Sequence, residues 1–428
     1  MQDPSRIDSP TRALIERRSA VLGPAYHLQY RRPVNPVRAL GTKIWDASGE
    51  VLLDAYNNVP SVGHGNPLVV QAMSEQLSTI STNTRYLQRK VVEYAEALLD
   101  TFDPELNRVM FTCTGSEAND LALRIARDIT GHTGVIASEF AYHGNTSAVA
   151  SVSPSAGPTI PLGRDVRLIP PPDSHRGGPD VSGWLASRVQ EQIDDLNRHG
   201  VGLSAFIVDG LFSSDGIYPA DNGVLQPVFD VVHRAGGLFI LDEVQTGFAR
   251  TGDHMWGHQR FGITPDLVTL GKPMANGLPV AALVAQWDLL EDFGARIPYF
   301  NTFGGNTGCI AAAQAVLQVI QEERLLDNVR MQGKALREGI AHELRGARHD
   351  VDVRGCGTYI GVGFSEAGKP APAIAASIVD AMRDDGVLIS LAGPIGNVVK
   401  IRPPLVFDDA DTDRFLSSFG RAARTCAV

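Results

Sequence analysis

The sequence predicts an α/β fold, with a large domain built on a mainly parallel sheet of seven strands and a smaller α+β domain formed by both chain ends. Three observations lead to this prediction. From about residue 106 onward, short β-branched runs alternate with segments of helical periodicity, which is typical of a parallel sheet covered by helices on both faces. The 428 residues exceed one ordinary domain. Both chain ends carry elements that lie outside this alternation.

The strands of the large domain are predicted where short apolar or β-branched runs stand between turn-forming residues. These segments are Arg108–Cys113, Gly134–Ser138, Val166–Pro170, Ala205–Asp209, Leu238–Asp242, Asp266–Leu270 and Ala281–Ala285. Helices fit between them because apolar residues recur at helical spacing, notably over Glu117–Ile129 and Pro227–Ala235.

The two chain ends are predicted to pack together. A hairpin is expected over Lys43–Asp54, turning at Ser48 and Gly49, and a long apolar helix begins near residue 311. The predicted division assigns residues 1–55 and 311–428 to the small domain and residues 56–310 to the large one. Ligands of open α/β sheets bind beyond the carboxyl ends of the strands, so the chemistry is expected there.

Composition excludes several classes of protein. With 38 lysines plus arginines against 48 acidic residues, the net charge of −10 argues against a broad basic surface for nucleic acid. No segment reaches the roughly 18 apolar residues of a membrane span, and charges stand where a signal peptide has an apolar core. We therefore predict no membrane partner and a cytoplasmic location. Four scattered cysteines form no CxxC pair, so no metal site is predicted.

The first chemical motif is the turn TCTGSEAN at residues 112–119, where a strand ends and a helix begins. Free backbone N–H groups at a helix N-terminus, with the Ser116 hydroxyl beside them, make a ready phosphate site. The alternative is an ordinary helix cap, with Ser116 as the capping residue.

The second motif is the strand LFILD, which ends in Asp242 and is followed by Glu243. Asp242 follows four apolar residues and is expected to be buried, which is costly unless its carboxylate meets a cation or a protonated nitrogen. A structural ion pair and a metal ligand are the alternatives. The metal alternative lacks partners, because no HExxH motif occurs and His254 and His258 have no nearby ligand set.

The third motif is PDLVTLGKP, a strand that ends at Lys272. Lysine is scarce in this chain, whose only lysines are Lys43, Lys90, Lys272, Lys334, Lys369 and Lys400. A desolvated lysine has a lowered pKa and becomes a nucleophile suited to Schiff-base chemistry. The alternative is a lysine that extends from the strand end into solvent.

Together the three strand ends match the needs of pyridoxal 5′-phosphate (PLP). The helix N-terminus would hold its phosphate, the carboxylate would keep its ring nitrogen protonated, and the lysine would carry its aldehyde. A dinucleotide site fits less well, because Gly355, Gly357 and Gly361 miss the GxGxxG spacing by one residue.

Further segments extend the pattern along nearly the whole chain: GTKIWDASGEVLLDAYNNV, FTCTGSEANDLALRIAR, AYHG, LDEVQTGFARTG, PDLVTLGKP, NTFGGN and KIRPPL. With them the chain resembles the class III aminotransferases of PLP fold type I. The resemblance implies that Lys272 is the Schiff-base lysine and that Asp242 pairs with the pyridine nitrogen.

The same resemblance assigns the other cofactor contacts. Gly115 and Ser116 would bind the phosphate, Tyr142 would stack on one face of the ring, and Val244 would pack behind the other. Gln245 would lie near the phenolic oxygen. Thr302 would reach the phosphate in the neighbouring subunit, which implies a homodimer with active sites at its interface.

A finer resemblance points to the phospho-lyases of this family that act on ethanolamine phosphate. It rests on residues 57–67, 82–98, 171–178, 271–281 and 387–404. Four positions depart from the family pattern. Phe212 stands where a glutamine is usual, Asn66 where a histidine is common and Thr307 where a proline is common, and Asp209 stands where a glutamate is usual. In the relatives that glutamate can hold the arginine corresponding to Arg402.

Substrate residues follow from the chemistry of a phosphate, which the arginine fork suits. The candidates are Arg85, Arg402, Arg31 and Arg32, with Asn57 and Asn58 as polar contacts at a turn. Arg31 and Arg32 are equally compatible with a solvated surface. In a transaminase Arg402 would clamp a carboxylate, so Arg85 discriminates better between the two activities.

The sequence therefore favours a phospho-lyase that takes a small phosphorylated amine, O-phosphoethanolamine, and gives acetaldehyde, ammonia and phosphate. The alternative is an ω-amino acid or amine:pyruvate transaminase on the same scaffold. A binding protein that has lost catalysis is the third hypothesis, and the intact Lys272 and Asp242 argue against it.

Overall fold

The computed structural model describes residues 7–219, 223–426 and 428, and it confirms the α/β fold. Its helices are α1 Ser9–Val21, α2 Pro67–Thr79, α3 Arg89–Leu99, α4 Gly115–Thr130, α5 Ser147–Ala150, α6 Ser174–Gly177, α7 Val181–Arg198, α8 Gln226–Arg234, α9 Gly257–Phe261, α10 Trp287–Arg296, α11 Thr307–Glu322, α12 Leu325–Glu343, α13 Pro372–Asp384 and α14 Asp409–Thr425. Within the described ranges, none of these helices is long and apolar enough to cross a bilayer.

The strands of the described residues form three sheets. They are β1 Pro36–Leu40, β2 Lys43–Asp46, β3 Val51–Asp54, β4 Arg108–Thr112, β5 Gly134–Ser138, β6 Val166–Ile169, β7 Leu203–Asp209, β8 Leu238–Asp242, β9 Leu267–Leu270, β10 Ala281–Ala285, β11 Asp350–Cys356, β12 Tyr359–Glu366, β13 Lys369–Pro370, β14 Val387–Leu388, β15 Ser390–Ala392 and β16 Val398–Ile401.

The central sheet contains all seven strands predicted for it, in the order β4-β10-β9-β8-β7-β5-β6. Strands β5 to β9 pair in parallel, whereas β10 is antiparallel to both β4 and β9. The prediction of a mainly parallel sheet is therefore confirmed, with β10 as the reversed strand. The carboxyl ends of β4, β7, β8 and β9 consequently lie at one edge, and the residues there are Thr112, Asp209, Asp242 and Leu270.

Helices cover both faces of this sheet because its inner strands are apolar on both sides. Every residue of β7 is buried. Phe206 and Val208 pack into the cluster that contains α7 and α8, while Ala205 and Ile207 pack into the cluster that contains α4. Successive side chains of a strand point to opposite faces, so one strand contributes to two cores.

Both chain ends contribute to one further core. Leu52 and Leu53 from β3 cluster with Phe364, Ile401 and Phe415 from the carboxyl-terminal part. The predicted hairpin is present as β2 and β3, and β14 joins β3 in parallel. The apolar helix predicted near residue 311 begins at Thr307, because the side chain of Asn306 accepts hydrogen bonds from the N–H groups of residues 308 and 309.

That helix, α11, packs against the central sheet. Its buried residues, among them Ile310 and Val316, cluster with Val268 and Leu270 of β9. The small-domain core takes its first carboxyl-terminal contribution from Leu336 on α12. The domain boundary near residue 310 stays a prediction.

Candidate active site

A cavity of about 200 Å³ lies where the strand ends of the central sheet meet. Of the eight residues predicted to contact the cofactor, seven line it: Gly115, Ser116, Tyr142, Asp242, Val244, Gln245 and Lys272. His143, Gly144 and Asp209 complete the lining. The three predicted motifs are therefore brought to one place.

The amino terminus of α4 forms one wall. Thr114 caps this helix, with its hydroxyl accepting a hydrogen bond from the Glu117 N–H at 3.2 Å. The alternative of Ser116 as the cap is thus wrong. The Ser116 hydroxyl instead donates to the side-chain oxygen of Asn145 and accepts from the Asn145 N–H, each at 3.1 Å. Helix start and hydroxyl stand together, as a phosphate site requires.

Asp242 is only 4% exposed, and its carboxylate is held by three donors. Oδ1 accepts from the Val244 N–H at 3.0 Å. Oδ2 accepts from Asn119 Nδ2 at 2.9 Å and from His143 Nδ1 at 2.8 Å. These hydrogen bonds compensate for burial and fix the carboxylate in position beneath the cavity.

Asn119 in turn is fixed by its own contacts. Its amide group also donates to the carbonyl of His143 at 2.8 Å, and its oxygen accepts from the Thr269 hydroxyl at 2.6 Å. One buried amide thus joins α4, β9 and the segment after β5 around Asp242.

Lys272 follows β9 and lines the same cavity. Its pKa is lowered to about 8, first by the loss of solvation and then by the positive charge of Arg402. The carboxylates of Asp242 and Asp209 act in the opposite direction. A larger fraction of this amine is therefore neutral near neutral pH than for an ordinary lysine, as a nucleophile or base requires.

Arg402 lies at the Gln245 side of the cavity. Its guanidinium donates to the Gln245 side-chain oxygen, to the Tyr359 hydroxyl at 3.4 Å and to the Tyr56 carbonyl at 3.2 Å. Asp209 does not reach it. The Asp209 carboxylate accepts from the Ser213 hydroxyl and from backbone N–H groups of residues 211 and 213. The Asp209 side chain, one methylene shorter than glutamate, therefore stabilises the local turn and does not pair with Arg402. Burial raises the pKa of the Asp209 carboxyl group.

The two predicted asparagines differ. Asn57 is used locally, because its side-chain oxygen accepts from the Val59 N–H at 3.1 Å. Asn58 is 1% exposed, and neither polar atom of its side chain has a hydrogen-bond partner within the described chain.

None of the six predicted substrate residues is among those that line the cavity, although Arg402 contacts Gln245, which does. Arg31 pairs with Asp380 at 3.0 Å and Arg32 with Glu50 at 2.6 Å, so both are held within the small domain by carboxylates. Their contact with the substrate stays a prediction.

Arg85 and Thr302 lie on the surface of this single chain. The Arg85 guanidinium stacks over the Phe300 ring, 3.6 Å from its centroid. Thr302 follows two residues later on the exposed loop after α10. Both roles remain predictions.

Three residues of the site were not singled out by their sequence context. His143 stands inside the AYHG segment, and Asn119 stands inside the phosphate-loop segment, so both were within recognised motifs. Lys400, in the apolar strand VVKI, carried the same signal as Lys272: a rare lysine in an apolar context.

The residues present fit PLP. A helix start with a hydroxyl, a buried and fully hydrogen-bonded carboxylate, and a lysine with a lowered pKa all line this one cavity. Gly115 also leaves a slot for Val244, since a Cβ at position 115 would lie 2.8 Å from Val244 Cγ2. His143 Nε2 is buried beside this carboxylate with no partner in the described part of the chain.

Comparison with known proteins agrees with the geometry. The family model "Aminotransferase class-III" matches residues 26–423. An alanine–glyoxylate aminotransferase 2-like protein of Drosophila melanogaster is 37% identical, with 95% of this chain and 85% of that protein covered. Ethanolamine-phosphate phospho-lyase homolog 1 of Caenorhabditis elegans is 34% identical, with 92% and 90% covered.

Among solved structures, a phospholyase from Arthrobacter in complex with phosphoethanolamine is 43% identical. It superposes with a TM-score of 0.93, covering 96% of this chain and 99% of that chain. The family predicted from the motifs is thereby confirmed. The chain belongs to the class III aminotransferase family and is a PLP-dependent enzyme.

Proposed function

We propose that this protein is a phospho-lyase that eliminates phosphate from O-phosphoethanolamine. The observation that carries the proposal is the likeness to the Arthrobacter phospholyase, whose structure holds phosphoethanolamine and which matches this chain at 43% identity over almost its full length. The overall reaction consumes one water and yields acetaldehyde, ammonia and inorganic phosphate. The carbon–oxygen bond breaks, and phosphate leaves with the electron pair of that bond.

When bound, PLP supplies an electron sink for the amine-bearing carbon. Lys272 supplies the base: its Nζ takes the proton from that carbon when it is neutral, and its lowered pKa of about 8 favours this state.

Asp242 supplies a fixed negative charge. Its three hydrogen bonds orient the carboxylate and keep it from rotating away, so it requires no reorganisation during the reaction. His143 and Asn119 are positioning residues for this charge, since both act through Asp242.

Arg402 supplies a fixed positive charge beside Gln245, which lines the cavity. Gln245, Tyr359 and the Tyr56 carbonyl hold its guanidinium in place. A substrate anion bound there would be desolvated beside a cation that is only 5% exposed, which strengthens the attraction.

We further propose that two copies form a homodimer. Large apolar side chains are exposed on and beside α2 and α3 and on the loop that carries Thr302, among them Leu87, 94% exposed, and Tyr86, Phe300 and Phe303. Clusters of this kind mark interaction sites. In the dimer Thr302 would reach the other chain's cavity. A cytoplasmic location is proposed from the sequence alone.

A transaminase is the second candidate, and the Drosophila relative, 37% identical over 95% of this chain, favours it. Both activities use the same base and the same fixed carboxylate. They differ in whether the substrate loses a phosphate or passes its amine to a keto acid.

The test is to incubate the PLP-loaded protein with phosphoethanolamine in the absence of any keto acid. We expect equal amounts of inorganic phosphate and acetaldehyde to form, and Lys272→Ala to abolish both. If no phosphate forms, while an amine and pyruvate give alanine, the phospho-lyase proposal is wrong and the transaminase is correct.

A further inference from the structure

Two cations project from the strand that leads to the Gln245 side of the cavity. Lys400 lies in β16, and Arg402 follows directly after the last residue of that strand, Ile401. Lys400 Nζ is 5.8 Å and Arg402 Cζ 5.2 Å from the centroid of the Tyr56 ring. The two charges therefore share one aromatic neighbour.

The donors of this pair are largely unused. The Lys400 ammonium has no hydrogen bond or ion pair with any part of the chain that the structure describes. Arg402 uses Nε and Nη1, so its Nη2 is left without a hydrogen bond to the described residues. Arg402 is buried and Lys400 is half-buried. Cations withdrawn from water without an anion are costly, and such donors are suited to receiving one.

The carboxylates nearby are already engaged. Asp209 is taken up by Ser213 and the turn that follows β7, and Asp242 by Asn119, His143 and a backbone N–H. Neither forms an ion pair with Lys400 or Arg402. The anion that completes this pair therefore has to come from outside the described chain.

Without a neighbouring anion, the Lys400 amine holds its proton less strongly than an ordinary lysine does. Its pKa is lowered to about 7, first by loss of solvation and then by the charges of Arg402 and Lys272, while Asp209 acts oppositely. A bound dianion would hold the proton on Lys400 and so restore the charge.

The loop that carries Tyr56 offers a further unpartnered group. The loop has two hydrogen bonds to the rest of the site. The Tyr56 carbonyl accepts from Arg402, and the Ser61 hydroxyl donates to the carbonyl of Pro273, the residue after Lys272, at 3.0 Å. Asn58 lies between these two hydrogen bonds, and both polar atoms of its side chain are buried without a partner in the described ranges. Such groups in native proteins ordinarily have a ligand or water as partner.

We propose that Lys400, together with Arg402, binds the phosphate group of the substrate, and that Lys400 is the residue that selects a phosphorylated amine over a phosphate-free one. This inference rests on the proposed phospho-lyase function and names the phosphate subsite of that reaction. Two cations match the two negative charges of the phosphate group. The planar guanidinium of Arg402 can donate two directed hydrogen bonds to it, whereas the Lys400 ammonium acts as a point charge.

The experiment compares Lys400→Met and Lys400→Arg with the wild type and with Lys369→Met, which removes an exposed lysine on β13. The rate of phosphate release from phosphoethanolamine gives KM and kcat for the phosphorylated substrate. The rate of alanine formation from n-propylamine and pyruvate gives the activity toward an amine without phosphate. Because Lys400→Met loses the charge-assisted contacts with the phosphate, we expect its KM for phosphoethanolamine to be roughly tenfold to a hundredfold higher than that of the wild type. We expect Lys400→Arg to recover most of this loss and Lys369→Met to show none.

Binding of inorganic phosphate to the PLP-loaded protein, followed by calorimetry, separates the two proposals. If the wild type releases phosphate but Lys400→Met keeps its KM, the role of Lys400 is refuted and the phospho-lyase function stands. If the wild type releases none, that function is wrong, and an unchanged phosphate affinity in Lys400→Met then refutes the anion site as well. Lys400→Gln replaces the methionine variant if the latter does not fold.

Discussion

The packing of Val244 against bare backbone gives the most direct structural prediction. Its side chain lies in a slot between Gly115 at the start of α4 and Gly271 at the end of β9. A Cβ at position 115 would stand 2.8 Å from Val244 Cγ2 and 3.1 Å from Cγ1. Gly271 closes the other side, with distances of 3.2 and 3.3 Å from a Cβ there to the same two methyl groups. In Gly115→Ala the valine has to move toward the cavity.

The size of the effect follows from these distances. Carbon atoms pack at about 3.5–4.0 Å, so the new methyl group falls short of contact distance by roughly 1 Å. Overpacking of this kind typically costs about 1–3 kcal/mol. If the strain is released by Val244 entering the cofactor cavity, PLP binding weakens by roughly 5- to 150-fold, since about 1.4 kcal/mol corresponds to a factor of ten.

The assay is the titration of apoprotein with PLP, followed by the absorbance of the lysine-bound cofactor, beside urea unfolding of each variant. Val244→Ala removes the clashing methyl groups, so the double variant with Gly115→Ala should bind PLP as Val244→Ala alone does. Gly294→Ala in α10 is the matched control, because a Cβ there meets nothing within 4 Å. Wild-type PLP affinity and stability in Gly115→Ala, or a double variant no better than Gly115→Ala, would refute the reasoning.

Three further predictions concern the surroundings of the site. Asn119→Ala should lower the free energy of unfolding by about 1–3 kcal/mol in urea denaturation, because it removes a buried donor to Asp242; unchanged stability would contradict this. Burial raises the pKa of Asp215 to about 7 from 3.8, so wild-type stability should fall between pH 4 and 7 by at most about 4 kcal/mol, and Asp215→Asn should lack this fall. Parallel pH profiles of the two proteins would disprove it. Leu87→Asp should give a monomer in light scattering, whereas Met331→Asp on α12 should leave the dimer intact; a dimeric Leu87→Asp would oppose the proposed interface.

The strands and the three motifs at their ends could be predicted because they are local patterns. The apolar run before Asp242 and the one before Lys272 each identify a buried strand and the polar residue at its end. Once the strands are known to be parallel, their ends lie at one edge, so the meeting of Asp242 and Lys272 follows as well.

Other features depend on partners that are distant in sequence. The reversal of β10 is visible only in its antiparallel pairing with β4 and β9, since a strand buried on both faces has the same pattern in either direction. Arg31 and Arg32 resemble any solvated basic pair, and their partners Asp380 and Glu50 lie about 350 and 18 residues away.

The sequence by itself determined the family and the cofactor, because contiguous motifs carry both, and it predicted seven of the residues that line the cavity. Only the tertiary structure decided which cations gather at the substrate end. Arg402 and Lys400 come together with Tyr56 across more than 300 residues of chain, while Arg31 and Arg32 are held by carboxylates elsewhere. Whether a charged side chain is free or neutralised depends on its spatial neighbours, which a one-dimensional pattern does not specify.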